Sequence, residues 1–220
     1  MATSASVLSV NTGRIVEAAW AGRLRRTAID KVRVSARVDV GPTGLEGDEQ
    51  ADVEYHGGAD KAVYAFARED LDQWERVLDR SVHNGQFGEN LTTAGIDVNQ
   101  ARIGERWRVG SALLEVCSVR IPCRVFAAWL REAGWVRRFT EEGRPGPYLR
   151  VLEPGDVAAG DPIEVVHRPD HDVTVTVVFR ALTTRPDLLH LLPDLPALED
   201  ELAEWARRRQ RTSGGAAPTS

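Results

Sequence analysis

The sequence predicts a mainly β fold, a barrel or a sandwich, followed by a small helical segment. Three observations point there. Short alternating apolar and polar stretches recur through the first three quarters of the chain, and Gly and Pro pairs punctuate them at Gly41-Pro42, Gly57-Gly58, Gly146-Pro147 and Pro154-Gly155. Beyond Arg168-Pro169 the pattern changes to helical spacing.

Strands are expected at residues 32–40, 62–66, 106–109, 112–116 and 162–166, where apolar residues alternate or run together between turn signals. Two helices interrupt them. One spans about 69–78 and contains Trp74; the other spans about 124–139, with Phe126, Leu130 and Ala133 on one face. The second begins just after Pro122-Cys123, which places Cys123 at a helix N-terminus, where partial positive charge favours a thiolate and any nearby anion. Beyond residue 168 three short helices are expected. The first spans 173–182, the second opens at Pro186-Asp187, and the third opens at Pro196 with Leu198, Leu202 and Trp205 on one face. The expected domains are residues 1–168, residues 169–210, and a Gly/Ser/Ala/Pro-rich disordered tail at 211–220. The helices carry their own apolar faces, so the barrel core is expected to fold without them.

Composition narrows the function classes. A chain of 220 residues with 42% hydrophobic and 28% charged residues can bury a real core. The start has no basic region and only a short apolar stretch, so a cytoplasmic protein is expected, with no membrane partner. Two cysteines make a disulfide scaffold a poor reading and a reducing compartment the natural one. A net charge of -5 gives no overall basic surface for a nucleic acid polymer. Any anion site must therefore be local, and the arginines do cluster, at Arg120, Arg124, Arg137, Arg138, Arg144 and Arg150.

Three clusters carry candidate chemistry. In the first, Gly57 and Gly58 free the backbone to approach a ligand while Lys61 supplies a point charge, an arrangement that suits a phosphate. The same residues serve equally in a tight hairpin turn with a solvated lysine. It is not a P-loop, because no Gly-x-x-x-x-Gly-Lys-Ser/Thr run occurs. His56 beside the glycines is either a general acid/base or a structural histidine. In the second cluster, Gly88-Glu89-Asn90-Leu91-Thr92-Thr93, Asn90 and the threonines are either ligand donors or turn formers. In the third, Cys123 lies between Arg120 and Arg124, a setting that lowers a thiol pKa and suits soft-metal ligation. Cys117, at the end of an apolar run, reads as a small buried hydrophobe. His167 and His171 have zinc-like spacing but sit around Pro169-Asp170 and read as a linker.

Taken together, residues 44–64 (GLEGDEQADVEYHGGADKAVY), 87–95 (FGENLTTAG), 120–123 (RIPC) and 148–161 (YLRVLEPGDVAAGD) resemble the MOSC family, named after the C-terminal domain of molybdenum cofactor sulfurase, and within it the bacterial YiiM-like subgroup. The motifs fall in family order, and FRALTTRPDLL at 179–189 resembles the three-helix extension of that subgroup. The resemblance implies a MOSC-type β-barrel that binds molybdenum cofactor (molybdopterin), a metal dithiolene on a pterin with a terminal phosphate. It also carries a family-level association with pyridoxal phosphate binding. It implies Cys123 as the molybdenum ligand and Gly57, Gly58, Asp60, Lys61, Asn90, Arg120, Arg124 and Arg150 as cofactor-binding residues. Relatives often have Pro in place of Val119 and Gly-Asp in place of Gly104-Glu105; neither change removes a ligand.

The implied activity is reduction of N-hydroxylated compounds, such as N-hydroxylated nucleobases, with His56 or Asp60 supplying protons. No Fe–S ligand set or Rossmann fingerprint occurs, so a separate flavin or iron–sulfur protein is the expected electron donor, and a homodimer is compatible with the pattern. A non-catalytic cofactor carrier or sulfur-relay module is the alternative. A cysteine hydrolase built from Cys123, His56 and Asp60 is a third class.

Overall fold

A computed structural model describes residues 4–52 and 57–213. The strands are β1 (Ser6–Thr12), β2 (Val16–Glu17), β3 (Arg26–Thr27), β4 (Val32–Val34), β5 (Val38–Gly41), β6 (Gly44–Leu45), β7 (Val63–Ala67), β8 (Leu91–Ala94), β9 (Arg106–Val109), β10 (Ala112–Val119), β11 (Pro147–Glu153), β12 (Gly155–Val157) and β13 (Ile163–His167). Eight of them form one sheet in the order β13-β9-β10-β11-β7-β8-β1-β4, and β12-β5-β6 form a second. All named pairings in the large sheet are antiparallel except β7 with β8, which are joined through helix α1 (Arg68–Leu78).

The expected closed barrel is not formed as a continuous ladder. The sheet curls until the start of β1 meets the start of β13, where Val7 N–H donates to Asp161 O and Ile163 N–H to Ala5 O, both at 2.9 Å. Only an isolated bridge, Ser6 with Pro162, marks the join. Pro162 has no N–H to carry the ladder further. The architecture is a large curved sheet with helices packed on it.

The expected strand at 32–40 is two strands, because the chain bends at 35–37 and changes sheets: β4 pairs with β1, and β5 with β12. The expected helix at 124–139 is likewise two, α2 (Arg124–Leu130) and α3 (Trp135–Glu142). Arg131 ends α2 at φ 55° and Gly134 opens α3 at φ 67°, both left-handed, a conformation glycine takes without strain. The break exposes Ala133 and turns Trp135 inward. There it packs with Trp74, Phe87, Phe126 and Phe139.

The three helical segments after residue 168 are present as α4 (Val175–Thr183), a 3-10 turn (Pro186–Leu191) and α5 (Asp200–Ser213). They do not pack apart from the rest. Val175, Val178 and Phe179 are fully buried in the same apolar cluster as the sheet, and Phe179 meets Phe139 edge to face at 6.3 Å. The main chain also crosses the expected boundary, with Val175 N–H donating to Ala101 O and Glu199 N–H to Cys117 O. Every residue of β10 is buried, and the C-terminal segment contributes to that cover through Glu199, which is bonded to Ser118 and to the Cys117 carbonyl. α5 runs through Ser213, past the expected start of the tail; the rest of that tail, 214–220, lies outside the described residues. Among the described residues no helix is long and apolar enough to cross a membrane.

Candidate functional site

A cleft of about 530 Å3 opens where the β10–α2 junction faces the loops after β2 and β6. Cys123, Arg120, Arg124, Asn90 and Lys61 all line it. The five residues come from three separate stretches of sequence, and the fold brings them together.

Cys123 caps α2 and is half-buried, reachable from the cleft. Arg120 lies beside it at the end of β10. Its guanidinium donates to the Tyr148 hydroxyl at 2.6 Å and lies over the rings of Phe126 at 5.3 Å and Tyr64 at 5.6 Å. Burial works against its charge, but the nearby Tyr148, Cys123 and Tyr64 outweigh that and hold its pKa above the ordinary guanidinium range. Among the described residues no carboxylate pairs with Arg120, and its Nε is buried without a hydrogen-bond partner. A buried charge left this way is costly unless a ligand completes it.

Asn90 serves the frame of the cleft. Its Oδ1 accepts from Tyr64 N–H at 3.0 Å, and its Nδ2 donates to Asp48 Oδ2 at 2.8 Å. The other oxygen of Asp48 accepts from Gly13 N–H at 2.7 Å and from the Lys31 ammonium. Burial pushes Lys31 below the ordinary lysine range, and Asp48 only partly offsets that. Lys31 and Asp48 both line the cleft, and sequence reading missed them. Only the fold brings a buried lysine to an aspartate 17 residues away.

Several expected ligands are placed differently. Lys61 lines the cleft, but its ammonium is bound to Glu199, which also accepts from the Ser118 hydroxyl. Glu199 is 5% exposed and stands just before α5, and nothing in its local pattern marks it. Arg150 and Asp60 do not line the cleft. They form an ion pair at 2.9 Å, with Arg150 Nη2 donating to Ala197 O and Glu115 at 3.7 Å. Cys117 lies beneath them, its Sγ 3.2 Å from Asp60 O, and burial pushes its thiol up to about 12. The inert reading of Cys117 fits this position. Gly58 does adopt a positive φ of 93°, but its N–H donates to Gln50 Oε1 at 2.9 Å, and neither Gly57 nor Gly58 lines the cleft. Arg124 is exposed at the rim. His56 lies outside the described residues. Asp60, the carboxylate of the hydrolase grouping, is held by Arg150 and does not line the cleft that Cys123 lines.

The lining is cationic. Arg23, Arg26, Lys31, Lys61, Arg120 and Arg124 face Asp48, Glu49 and Asp52. The excess favours an anionic occupant, and the position of Arg120 puts it next to the thiol.

Comparison with known proteins places this geometry in context. Residues 52–164 match the model of the MOSC domain. The chain is 34% identical to the Bacillus subtilis protein YflK over 201 residues, covering 91% of this chain and 88% of that protein. It is 30% identical over 213 residues to a Gibberella moniliformis protein named "Reductase", covering 94% of this chain and 38% of that longer one. Among solved structures, YiiM from Geobacillus stearothermophilus superposes with a TM-score of 0.80 at 26% identity, covering 93% of this chain and 98% of its own. The cysteine, arginine and asparagine that line the cleft thus sit on a YiiM-like fold, and the chain belongs to the MOSC domain family.

Proposed function

We propose that the cleft holds molybdenum cofactor beside Cys123 and that the protein is an oxidoreductase reducing N-hydroxylated compounds with electrons from a separate flavin or iron–sulfur protein. The observation that carries this reading is the buried Arg120, unpaired by any described carboxylate, with an unsatisfied Nε next to the only thiol on the cleft. MOSC domains are generally associated with this cofactor, and a longer relative bears the name reductase.

The residues present suit such a group. Cys123 Sγ is a soft donor for a high-valent metal. Among the described residues no cluster of three or more His, Cys, Asp or Glu could hold a bare metal ion. A metal arriving with its own dithiolene needs far fewer protein ligands. When bound, the group would supply the two electrons that reduce an N–OH to N–H, the two protons taken up going one to the nitrogen and one to the departing hydroxyl, which leaves as water. Arg120 and the rim cation Arg124 bind and orient its anionic parts. The Tyr148 hydroxyl accepts from Arg120 and keeps its own proton to donate toward a substrate oxygen. The Lys31–Asp48–Asn90 network holds the opposite wall rigid.

The test is expression in a host that makes molybdenum cofactor, followed by metal and pterin analysis and turnover of an aryl hydroxylamine with an artificial electron donor. Stoichiometric molybdenum and turnover are expected, with both lost in Cys123→Ser and most of both kept in Cys117→Ser. Molybdenum without turnover favours the carrier reading. Absence of molybdenum and pterin refutes the proposal.

A further inference from the structure

We propose that the β2–β3 hairpin and the start of α2 form the docking surface for the electron-donor protein, and that this partner presents an acidic face. The donor's role rests on the cofactor reading above; the surface itself does not.

Charge gathers on the hairpin. From residue 14 to residue 30 the chain carries Arg14, Arg23, Arg25 and Arg26 against Glu17 and Asp30. Arg14 is taken up by Glu49; the other three are exposed and, among the described residues, form no ion pair. Arg124, the first residue of α2, is exposed and unpaired in the same way, and it lines the cleft with Arg23 and Arg26. Glu17 stands opposite Arg26 in the strand pairing and offsets part of this charge. The carboxylates across the cleft are Asp48, held by Lys31, Glu49, held by Arg14, and Asp52. In a chain of net charge -5 such a cationic face is local, and it steers an acidic partner to one place.

Apolar side chains share this face. Ile15, Val16, Trp20 and Leu24 are all at least 37% exposed, and Trp20 is the one exposed aromatic ring among the described residues. Tryptophan and arginine carry most of the binding energy where proteins meet. The Trp20 ring is pinned, stacked on Trp129 of α2 at 6.0 Å with the planes 25° apart, and Trp129 Nε1 donates to Gln86 O at 2.8 Å. A ring held flat against the fold is a preformed contact for another protein. A membrane contact needs rings free to insert among lipids.

Position selects the electron donor as the occupant. Ala21, Gly22, Arg23 and Leu24 of the hairpin turn line the cleft itself, and α2 opens at Cys123. A protein seated on Trp20 and Leu24 therefore stands at the mouth of the cleft. An electron carrier must come that close, because electron transfer weakens steeply with distance. Transient redox contacts bury less than about 1,200 Å2 in total, so one hairpin and one helix end suffice for this side.

The test uses full-length holoprotein and oxidised flavodoxin, an acidic protein with its redox group at its surface, in calorimetric titrations. The variants are Trp20→Ala and Arg25→Glu, since neither residue lines the cleft, with Arg76→Glu on α1 as a control of equal charge change. Flavodoxin is expected to bind the wild type at low ionic strength and more weakly as salt is added. Each hairpin variant should bind at least about five-fold more weakly, and Arg76→Glu as the wild type does. With reduced flavodoxin as donor, KM should rise in both hairpin variants, while molybdenum content and turnover with an artificial donor stay at the wild-type level. No binding to the wild type, unchanged affinity in the hairpin variants, or an equal loss in Arg76→Glu would overturn the surface. So would wild-type binding to phosphatidylserine vesicles that both hairpin variants lose. Arg25→Glu leaves the tryptophan stack in place, so the test stands even if Trp20→Ala disturbs the hairpin. If the protein purifies without molybdenum the cofactor reading fails, while the flavodoxin titrations still decide the surface.

Discussion

Phe179 gives the sharpest measure of whether the C-terminal helices belong to the core. The ring is fully buried on α4 and packs edge to face on Phe139. Phe139 in turn touches Trp74, Phe87, Phe126 and Trp135. Phe179→Ala removes the ring from that cluster and leaves a cavity, a change that costs about 3–5 kcal/mol. Whole-chain stabilities run to about 5–15 kcal/mol, so one substitution should remove a large fraction. With a urea slope of about 2–3 kcal/mol/M, the midpoint should fall by about 1–2.5 M in urea unfolding followed by near-ultraviolet circular dichroism. Deleting everything after residue 168 also removes Val175 and Val178, each worth about 1.5–3 kcal/mol of burial, and uncovers β10. The shortened chain is therefore expected not to fold, the reverse of what the composition change at Arg168-Pro169 suggests. A midpoint for Phe179→Ala within about 0.3 M of the wild type, which at such slopes is under 1 kcal/mol, together with cooperative unfolding of the 1–168 chain, would refute this packing argument.

Three further outcomes are expected. Because the folded Cys117 thiol is raised from 9.0 to about 12, the native state keeps a proton that the unfolded state loses; stability present below pH 9 drains away between pH 9 and 12 at up to about 1.4 kcal/mol per pH unit. Cys117→Ala should flatten that alkaline slope in urea titrations, and an unchanged slope would contradict the assignment. Iodoacetamide at pH 8 should label Cys123 in the native protein and Cys117 only in denaturant, as read by peptide mass spectrometry; equal native labelling would show that Cys117 is accessible. Arg150→Ala should lower stability by about 1–3 kcal/mol, by stranding Asp60 and leaving Glu115 with Arg106 alone, while molybdenum content stays at the wild-type level; loss of metal without loss of stability would return Arg150 to the cofactor site.

Strand β9 matches its expected span at 106–109, and α1 its expected helix, because local periodicity decides both. Strand β8 was hidden. Asn90, Thr92 and Thr93 read as turn formers, yet the two threonines are fully buried, and Thr92 Oγ1 donates to Glu89 at 2.8 Å. Strand β1 was hidden in the same way by Ser9 and Asn11, which are buried and hydrogen-bonded to each other. Hydropathy does not register polar residues whose partners arrive from elsewhere in the chain. The site divides along the same line. Cys123, Arg120, Arg124 and Asn90 stand out locally and do line the cleft. Lys31, Asp48 and Glu199 do not stand out, because their roles exist only as pairs, and Lys61 meets Glu199 across 138 residues.

Those pairings decide where an anion can sit. Of the cations lining the cleft, Lys31 is held by Asp48 and Lys61 by Glu199, so neither offers an uncompensated charge. Arg23, Arg26 and Arg124 are exposed, where water screens them. Arg120 remains: sunk among aromatic rings, paired with no described carboxylate, and adjacent to the thiol. The field that attracts an anion is therefore concentrated at the start of α2 and not at the glycine loop. Lys61 instead holds the C-terminal segment, since Glu199 joins its ammonium, the Ser118 hydroxyl and the Cys117 carbonyl in one grip. A segment that looks in the sequence like an appendage is thereby tied into the core. For that reason substitutions at Glu199 should act first on stability, whereas substitutions at Arg120 should act first on the cofactor.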